Sequence, residues 1–213
     1  MKKLIKGIVE FRKKLLPGFR EKFAKLALGQ TPDTLFVACS DSRVVPNLFA
    51  STDPGDLFVL RNVGNLIPIC GEDGVSVSDE SEIAAIEFSL LNLNVPDIVI
   101  CGHSECGAML AICNGRQNVA APHLKSWLRH GETAMQKLES GTRMNPLLSK
   151  HNELSQLNVI EQMEHLKSYS VVRERIENGK LRLHGWWFDI ASADVFAYDE
   201  TLKRFVLIDD EFG

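Results

Sequence analysis

Uninterrupted apolar runs and apolar stripes at helical spacing alternate along the chain, and together they predict an α/β fold. Apolar runs at residues 34–38, 56–61 and 97–101 are typical of strands that are covered on both faces. Between the second and third runs, residues 82–93 place apolar side chains three or four positions apart, which predicts a helix. This alternation indicates a mostly parallel β-sheet flanked by helices, with right-handed crossovers.

Three further stretches show the helical period. Residues 107–113, 123–139 and 152–178 read as helices whose apolar stripes we assign to the core. Residues 1–28 read as an N-terminal helical arm, which the proline at Pro17 and the glycine after it should split in two. The apolar stripe of this arm could cover the core of its own chain or pack on a partner subunit.

The C-terminal part changes to the strand period. Residues 181–190 and 195–198 predict an antiparallel hairpin, and residues 205–208 predict an additional edge strand. A polar stretch without periodicity, residues 66–81, predicts a long functional or mobile loop. We therefore expect a single domain over residues 1–213, with the arm, a core at residues 30–115, and helices and the hairpin at residues 116–213.

Composition narrows the class of protein. A chain of 213 residues with 45% hydrophobic and 24% charged residues fits one globular core, and no apolar run approaches the roughly 20 residues of a membrane span. A net charge of −4 argues against nucleic acid and anionic membranes as partners. Five unevenly placed cysteines and no visible secretory signal favour a cytoplasmic protein whose thiols bind metal or lie buried.

Candidate chemistry follows the first and third predicted strands. Cys39 ends the first strand, whereas His103 and Cys106 follow the third. The carboxyl ends of parallel strands share one edge of a sheet, where ligands gather. Zinc prefers thiolate and imidazole ligands, and a catalytic site usually supplies three of them. Either stretch alone is a weak signal, since a lone cysteine is more often a buried hydrophobe, but the combination predicts a zinc site.

Asp41 and Arg43 accompany the first thiol. The carboxylate of Asp41 either binds the metal or accepts a hydrogen bond from the bound water. A bidentate contact from Arg43 favours the second role, because it would hold the carboxylate off the metal.

Residues 39–43 (CSDSR), 61–65 (RNVGN) and 102–107 (GHSECG) resemble the signatures of the β-class carbonic anhydrases. The resemblance is specific from about Gln30 to Cys113. It implies one Zn²⁺ per subunit held by Cys39, His103 and Cys106, with Asp41 and Arg43 as a catalytic dyad. The implied reaction is the reversible hydration of CO₂ to bicarbonate and a proton, by attack of zinc-bound hydroxide, in a homodimer or a homotetramer built as a dimer of dimers.

Within that family, the residues near the first strand resemble the open-site kind more than the kind in which the aspartate closes on zinc. Gln30 and Ala38 match the open kind, and Phe36 stands where the closing kind has a tryptophan. The resemblance implies that the amide of Gln30 and the backbone N–H of Gly107 bind substrate or bicarbonate oxygen. It also implies an apolar CO₂ pocket, partly across the dimer interface, that is lined by Phe58, Val63 and Phe88.

Two other functions remain open from the sequence. A zinc site of this type could hydrolyse a CO₂-like molecule such as COS or CS₂. Alternatively, the metal could staple the strands of a non-catalytic assembly protein, with Asp41 as a permanent fourth ligand.

The remaining histidines and cysteines receive structural interpretations. We expect His184 to be structural, Cys101 and Cys113 to pack in the core, and Cys70 to be half-buried or exposed. A helix-surface position is expected for four histidines: His123, His130, His151 and His165.

Overall fold

The computed structural model describes residues 1–72, 74–76, 79–210 and 212, and these residues form a six-stranded sheet in the order β2-β1-β3-β4-β5-β6. Strands β1 to β4 are parallel, whereas β5 and β6 pair antiparallel at the C-terminal edge. The strands are β1 (Thr34–Cys39), β2 (Leu57–Asn62), β3 (Asp97–His103), β4 (Arg182–Phe188), β5 (Val195–Asp199) and β6 (Arg204–Leu207). The mixed sheet confirms the predicted fold class.

The helices lie on both sides of this sheet and at its ends. They are α1 (Lys2–Glu10), α2 (Leu16–Leu26), α3 (Pro46–Phe49), α4 (Glu80–Glu87), α5 (Gly107–Cys113), α6 (Pro122–Trp127), α7 (Glu132–Glu139), α8 (Lys150–Lys167) and α9 (Ser170–Glu177). The helix predicted at residues 123–139 is divided by a 3₁₀ turn, Leu128–Gly131. That at residues 152–178 is interrupted by Tyr169, whose extended backbone separates α8 from α9. Within the described residues, no helix has the length and apolar character needed to span a bilayer.

Helix α8 packs directly on β3 and β4, because glycines in both strands leave room for it. A Cβ on Gly102 would lie 2.7 Å from Val159 Cγ2, and one on Gly185 would lie 2.9 Å from Val159 Cγ1. Val159, Met163 and other α8 side chains therefore join the apolar core over one face of the sheet. Residues on both sides of α8 are buried as a result.

The prediction that Pro17 splits the N-terminal arm is wrong. The backbone remains helical from α1 through a π-helical turn, Phe11–Leu15, into α2. Pro17 lies in the first turn of α2, which is the part of a helix that tolerates proline. No residue of α1 or α2, both fully described, is buried, and Leu4 and Ile8 expose 64% and 66% of their surface.

Candidate metal centre

Three potential metal ligands meet at the carboxyl edge of the parallel strands. Cys39 is the last residue of β1, His103 is the last residue of β3, and Cys106 immediately precedes α5. The ligand atoms of these buried side chains all lie within 4.8 Å of one another. The β1–β3 register, which pairs Ala38 with Cys101, brings the two strand ends together. The fold thus assembles the residues that the sequence singled out.

The ring of His103 is held in one tautomer. Its Nδ1 lies 2.8 Å from the carbonyl oxygen of Ser104, which can only accept, so Nδ1 carries the proton. The Nε2 atom then presents a lone pair, yet it is buried and has no hydrogen-bond partner among the described residues. Because buried polar atoms are almost always paired, this orphan nitrogen fits a metal ligand.

The two thiols beside it interact with each other and have pKa values shifted in opposite directions. The hydrogen bond from Cys106 has the largest effect on Cys39 and lowers its pKa to about 4, although burial acts in the opposite direction. The pKa of Cys106 is raised by the same hydrogen bond and by burial. A bound cation would allow both sulfurs to be thiolates, and the set of two sulfurs and one imidazole nitrogen fits zinc with a fourth position open.

Asp41 is gripped by Arg43. Arg43 donates from Nε to Oδ1 at 2.9 Å and from Nη2 to Oδ2 at 2.8 Å, and its backbone N–H donates to Oδ1 at 3.0 Å. The Arg43 side chain thereby holds the pKa of Asp41 well below its usual range. Nη2 also donates to the carbonyl of Glu105 at 3.0 Å, which anchors the pair to the loop after β3. Among the described residues, Asp41 lies outside the three-ligand cluster.

The end of β2 and the segment after it position the loop that carries these groups. The guanidinium of Arg61 donates to the carbonyl of Cys39 at 2.8 and 3.0 Å and to that of Asp41 at 2.7 Å. The backbone N–H of Gly64 donates to Cys39 Sγ at 3.3 Å. Gly64 has φ +88°, and a Cβ there would lie 2.9 Å from Ala108 Cβ, so only glycine fits.

Helix α8 supplies a set of positioning contacts that the sequence analysis missed. About once per turn, a side chain of α8 hydrogen-bonds to the backbone of a segment that carries or contacts a potential ligand. Asn152 accepts from the N–H of Glu105 at 2.7 Å, and Ser155 Oγ donates to the carbonyl of His103 at 2.8 Å. Asn158 Nδ2 donates to the carbonyl of Gly64 at 3.2 Å.

Two more residues of α8 extend this face toward the segment after β2. Gln162 accepts from the N–H of Ile67, and His165 Nδ1 donates to the carbonyl of Ile67, both at 2.7 Å. The five polar residues recur at steps of three and four, which by itself resembles a solvated face. The sequence feature that could have revealed their burial is composition: Asn, Ser and Gln occupy this stripe, where a solvated helix would carry Lys and Glu.

The predicted helix-surface positions of His130 and His165 are wrong. Both rings are buried, and each has a polar partner there. His165 donates to the carbonyl of Ile67, and His130 Nε2 lies 3.2 Å from Asp79 Oδ2. Burial lowers the pKa of His130. The loop they contact begins in the core, since Leu66 and Ile67 are also buried. Its positions 73, 77 and 78 lie outside the described residues.

The other histidines and cysteines are placed as follows. His123 is exposed, His151 is half-buried, and His184 Nε2 contacts Asp97 Oδ1 at 2.7 Å. Cys101 is buried, and Cys70 and Cys113 are half-buried.

The residues predicted to form the substrate pocket are divided between the two ends of the parallel strands: Val63 follows β2 at the carboxyl edge, whereas Phe58 pairs with Leu35 near the amino ends. Phe58 on β2 and Phe88 after α4 stack with ring centroids 5.9 Å apart. Gln30 is exposed between α2 and β1, and Gly107 begins α5. Val63 and Phe88 expose 41% and 44% of their surface. A single chain therefore leaves the apolar part of this predicted pocket open to solvent.

Comparisons with known proteins agree with this geometry. The family model described as carbonic anhydrase matches residues 34–195. A carbonic anhydrase from Pseudomonas aeruginosa is 39% identical over 206 residues, covering 97% of this chain and 91% of the relative. Carbonic anhydrase 1 from Escherichia coli O157:H7 is 40% identical, with 97% and 91% of the two chains covered.

Solved structures give the same relationship. The structure of the β-carbonic anhydrase CcaA superimposes with a TM-score of 0.88 at 36% identity, covering 98% of this chain and 99% of the other. Tetrameric β-carbonic anhydrases from Sordaria macrospora match with a TM-score of 0.79 at 28% identity, covering 92% and 95%. Together with the cysteine and histidine cluster, these matches show that the chain belongs to the β class of the carbonic anhydrase family.

Proposed function

We propose that this chain catalyses the zinc-dependent reversible hydration of CO₂ to bicarbonate and a proton, with one Zn²⁺ per subunit held by Cys39, His103 and Cys106. The observation that carries the proposal is the buried Nε2 of His103, which has no partner in the described structure, on a ring whose ligand nitrogen lies within 4.8 Å of two thiol sulfurs. Two thiolates and an imidazole leave the fourth zinc position available for catalysis. Zinc in such a site supplies Lewis acidity that brings the pKa of water toward neutrality.

The role that we assign to Asp41 is to accept a hydrogen bond from the substrate water and so orient it. Its low pKa keeps the carboxylate ionised, which leaves it an acceptor throughout the neutral range. Arg43 engages both carboxylate oxygens, so a movement of Asp41 toward the metal would break these contacts. We therefore propose the open arrangement, with Asp41 off the metal.

We propose further that Gln30 and the backbone N–H of Gly107 bind substrate oxygen, while Phe58, Val63 and Phe88 form an apolar pocket for CO₂. Because Gln30 and Phe58 lie toward the amino ends of the strands, we assign them to the site of a second copy of the chain. The stacked rings of Phe58 and Phe88 support the apolar part. The exposure of Val63 and Phe88 supports completion of the pocket by a second copy of the chain, because large apolar patches seldom remain in water.

A homodimer, or a dimer of two such dimers, is the assembly that we propose. The exposed apolar stripe of α1 supports it, since a stripe that covers nothing in its own chain suits a partner. The Sordaria macrospora relatives are tetrameric. We assign the protein to the cytoplasm, because the site requires two reduced thiols and Cys39 and Cys106 are unpaired.

The test is CO₂ hydration by stopped-flow across pH, on protein with a measured zinc content. We expect activity that rises with pH, because two anionic thiolates make zinc a weaker acid for water than three imidazoles. Removal of zinc by a chelator should abolish the activity, and zinc should restore it. Competition with COS and CS₂ on the same preparation separates hydration from hydrolysis. Protein that carries one zinc per chain and is inactive toward CO₂ at alkaline pH contradicts the proposal and favours the non-catalytic alternative.

A further inference from the structure

A buried amide on α8 reaches a candidate metal ligand through one glycine. The side chain of Asn158, a residue that is 1% exposed, donates from Nδ2 to the carbonyl of Gly64 at 3.2 Å. The N–H of the same glycine donates to Cys39 Sγ at 3.3 Å. Gly64 is thus fixed at its carbonyl by a helix 94 residues away, while its N–H meets the thiol.

The orientation of the Asn158 amide is determined by its neighbour. Gln162 Nε2 donates to Asn158 Oδ1 at 3.0 Å, so the NH₂ group of Asn158 must face Gly64. The amide of Gln162 is itself fixed, because its Oε1 accepts from the N–H of Ile67 at 2.7 Å and its Nε2 also donates to the carbonyl of His130 at 3.0 Å. Neither amide can be flipped without losing a buried hydrogen bond.

Gly64 needs such external support. It has φ +88° and no side chain, so its own backbone conformation is weakly restrained. The neighbouring carbonyl of Val63 is held by Trp127 Nε1 at 2.7 Å. Asn158 supplies the second clamp, on the residue whose N–H reaches the sulfur.

We propose that Asn158 is a positioning residue for the metal centre, which fixes Gly64 so that its N–H hydrogen-bonds to the Cys39 thiolate. The inference rests on the proposed zinc site. A hydrogen bond to a ligating thiolate withdraws charge from sulfur and restrains its direction, and outer contacts of this kind tune metal affinity. Asn158 therefore acts on the charge and position of Cys39 through the backbone, without touching the metal or the substrate.

The test uses the full chain with cobalt(II) in place of zinc, in which thiolate-to-cobalt charge transfer reports the electron density on sulfur. In Asn158→Leu we expect this absorption band to move to longer wavelength. Zinc should also be released to a chelator about tenfold faster, at the lower end of the effects of outer-shell contacts. Gln156→Leu is the matched control, because Gln156 is a 4% exposed amide on α8 that faces the pocket beside β6. Its band and its zinc release should equal those of the wild type.

Asn158→Ala provides a second variant that also lacks the donor, and it replaces Asn158→Leu if the larger side chain prevents folding. A folded variant with the wild-type band and wild-type zinc release overturns the role of Asn158 while leaving the zinc site intact. A wild-type protein that shows no thiolate-to-cobalt band overturns the proposed zinc site itself, and the positioning role with it.

Discussion

The N-terminal arm and helix α8 break the usual rule of burial in opposite directions. In α1 and α2, which are described throughout, apolar side chains such as Leu4 and Ile8 are exposed and no residue is buried. In α8, uncharged polar side chains such as Ser155 and Asn158 are buried against the sheet. Exposed apolar residues point to a partner, whereas buried polar residues point to groups that must be positioned.

This contrast in burial separates a region that is complete within one chain from a region whose apolar surface needs a partner. The candidate metal centre has its three potential ligands, the Asp41–Arg43 pair and its backbone contacts within a single chain. The arm and the apolar residues Val63 and Phe88 face solvent. Metal binding and assembly should therefore be separable by mutation.

The largest expected effect is the loss of a metal ligand. Cys106→Ser should weaken zinc binding by more than about 100-fold, beyond the range of outer-shell contacts, and abolish CO₂ hydration. The oligomeric state should be unchanged, because the ligands are buried within the chain. Zinc analysis after dialysis, with light scattering on the same sample, checks both points. Cys113→Ser, at a half-buried thiol outside the cluster, is the control and should keep its zinc.

A charge on the arm should weaken association and leave zinc binding unchanged. Ile8→Asp places a carboxylate in the apolar stripe of α1, and burying it unpaired should weaken association by about 100-fold or more. Zinc content should stay at one per chain. Sedimentation velocity over a range of concentrations measures the shift. Lys6→Asp puts the same carboxylate on roughly the opposite side of the helix and should associate normally. If Ile8→Asp associates as tightly as the wild type, the arm is not the interface.

The smallest expected effect is on stability, and it concerns an ion pair outside the arm and α8. Asp97, at the amino end of β3, accepts from Arg182 Nε and Nη2 at 2.8 and 2.7 Å, and this contact lowers the pKa of Asp97. A lowered pKa in the folded state adds stability above the unfolded value of about 4, and this contribution is lost as pH falls through the folded value.

Asp97→Asn should therefore be slightly less stable than the wild type at pH 7, and the difference should shrink below about pH 4. The effect is small because the side chain of Arg182 is 71% exposed. Urea unfolding at both pH values measures it. If the difference in unfolding free energy grew on acidification, the ionised form of Asp97 would not be the stabilising one.

The sequence predicts the sheet and the meeting of Cys39, His103 and Cys106 because both follow from local signals. An apolar run that ends in Cys39, and another that ends in His103, are visible within a few residues. The strand order places both ends at one edge, and general rules of parallel sheets anticipate this. The Asp41–Arg43 contact spans two residues and is predictable for the same reason.

What the sequence does not reveal depends on contacts between distant segments. Asn158 meets Gly64 across 94 residues, and His165 meets Ile67 across 98. The spacing of the α8 side chains is that of a solvated face, and only their uncharged composition differs from one. The sequence therefore does not place His130 and His165 in the core. The sequence also does not reveal that the arm continues past Pro17, because a proline in the first turn of a helix and one in its interior look alike in sequence.

The proposed site has two parts: Cys39, His103 and Cys106 hold zinc, while Asp41 stays off the metal and serves catalysis. The most direct test is the rate of CO₂ hydration per bound zinc in the wild type and in Asp41→Asn, with zinc content measured on the same samples. We predict one zinc per chain in both proteins and a loss of about 10²- to 10⁴-fold in the variant, the range for a group that handles a proton. An unchanged rate in Asp41→Asn would exclude a catalytic role for Asp41, and a loss of zinc would show that Asp41 supports metal binding instead.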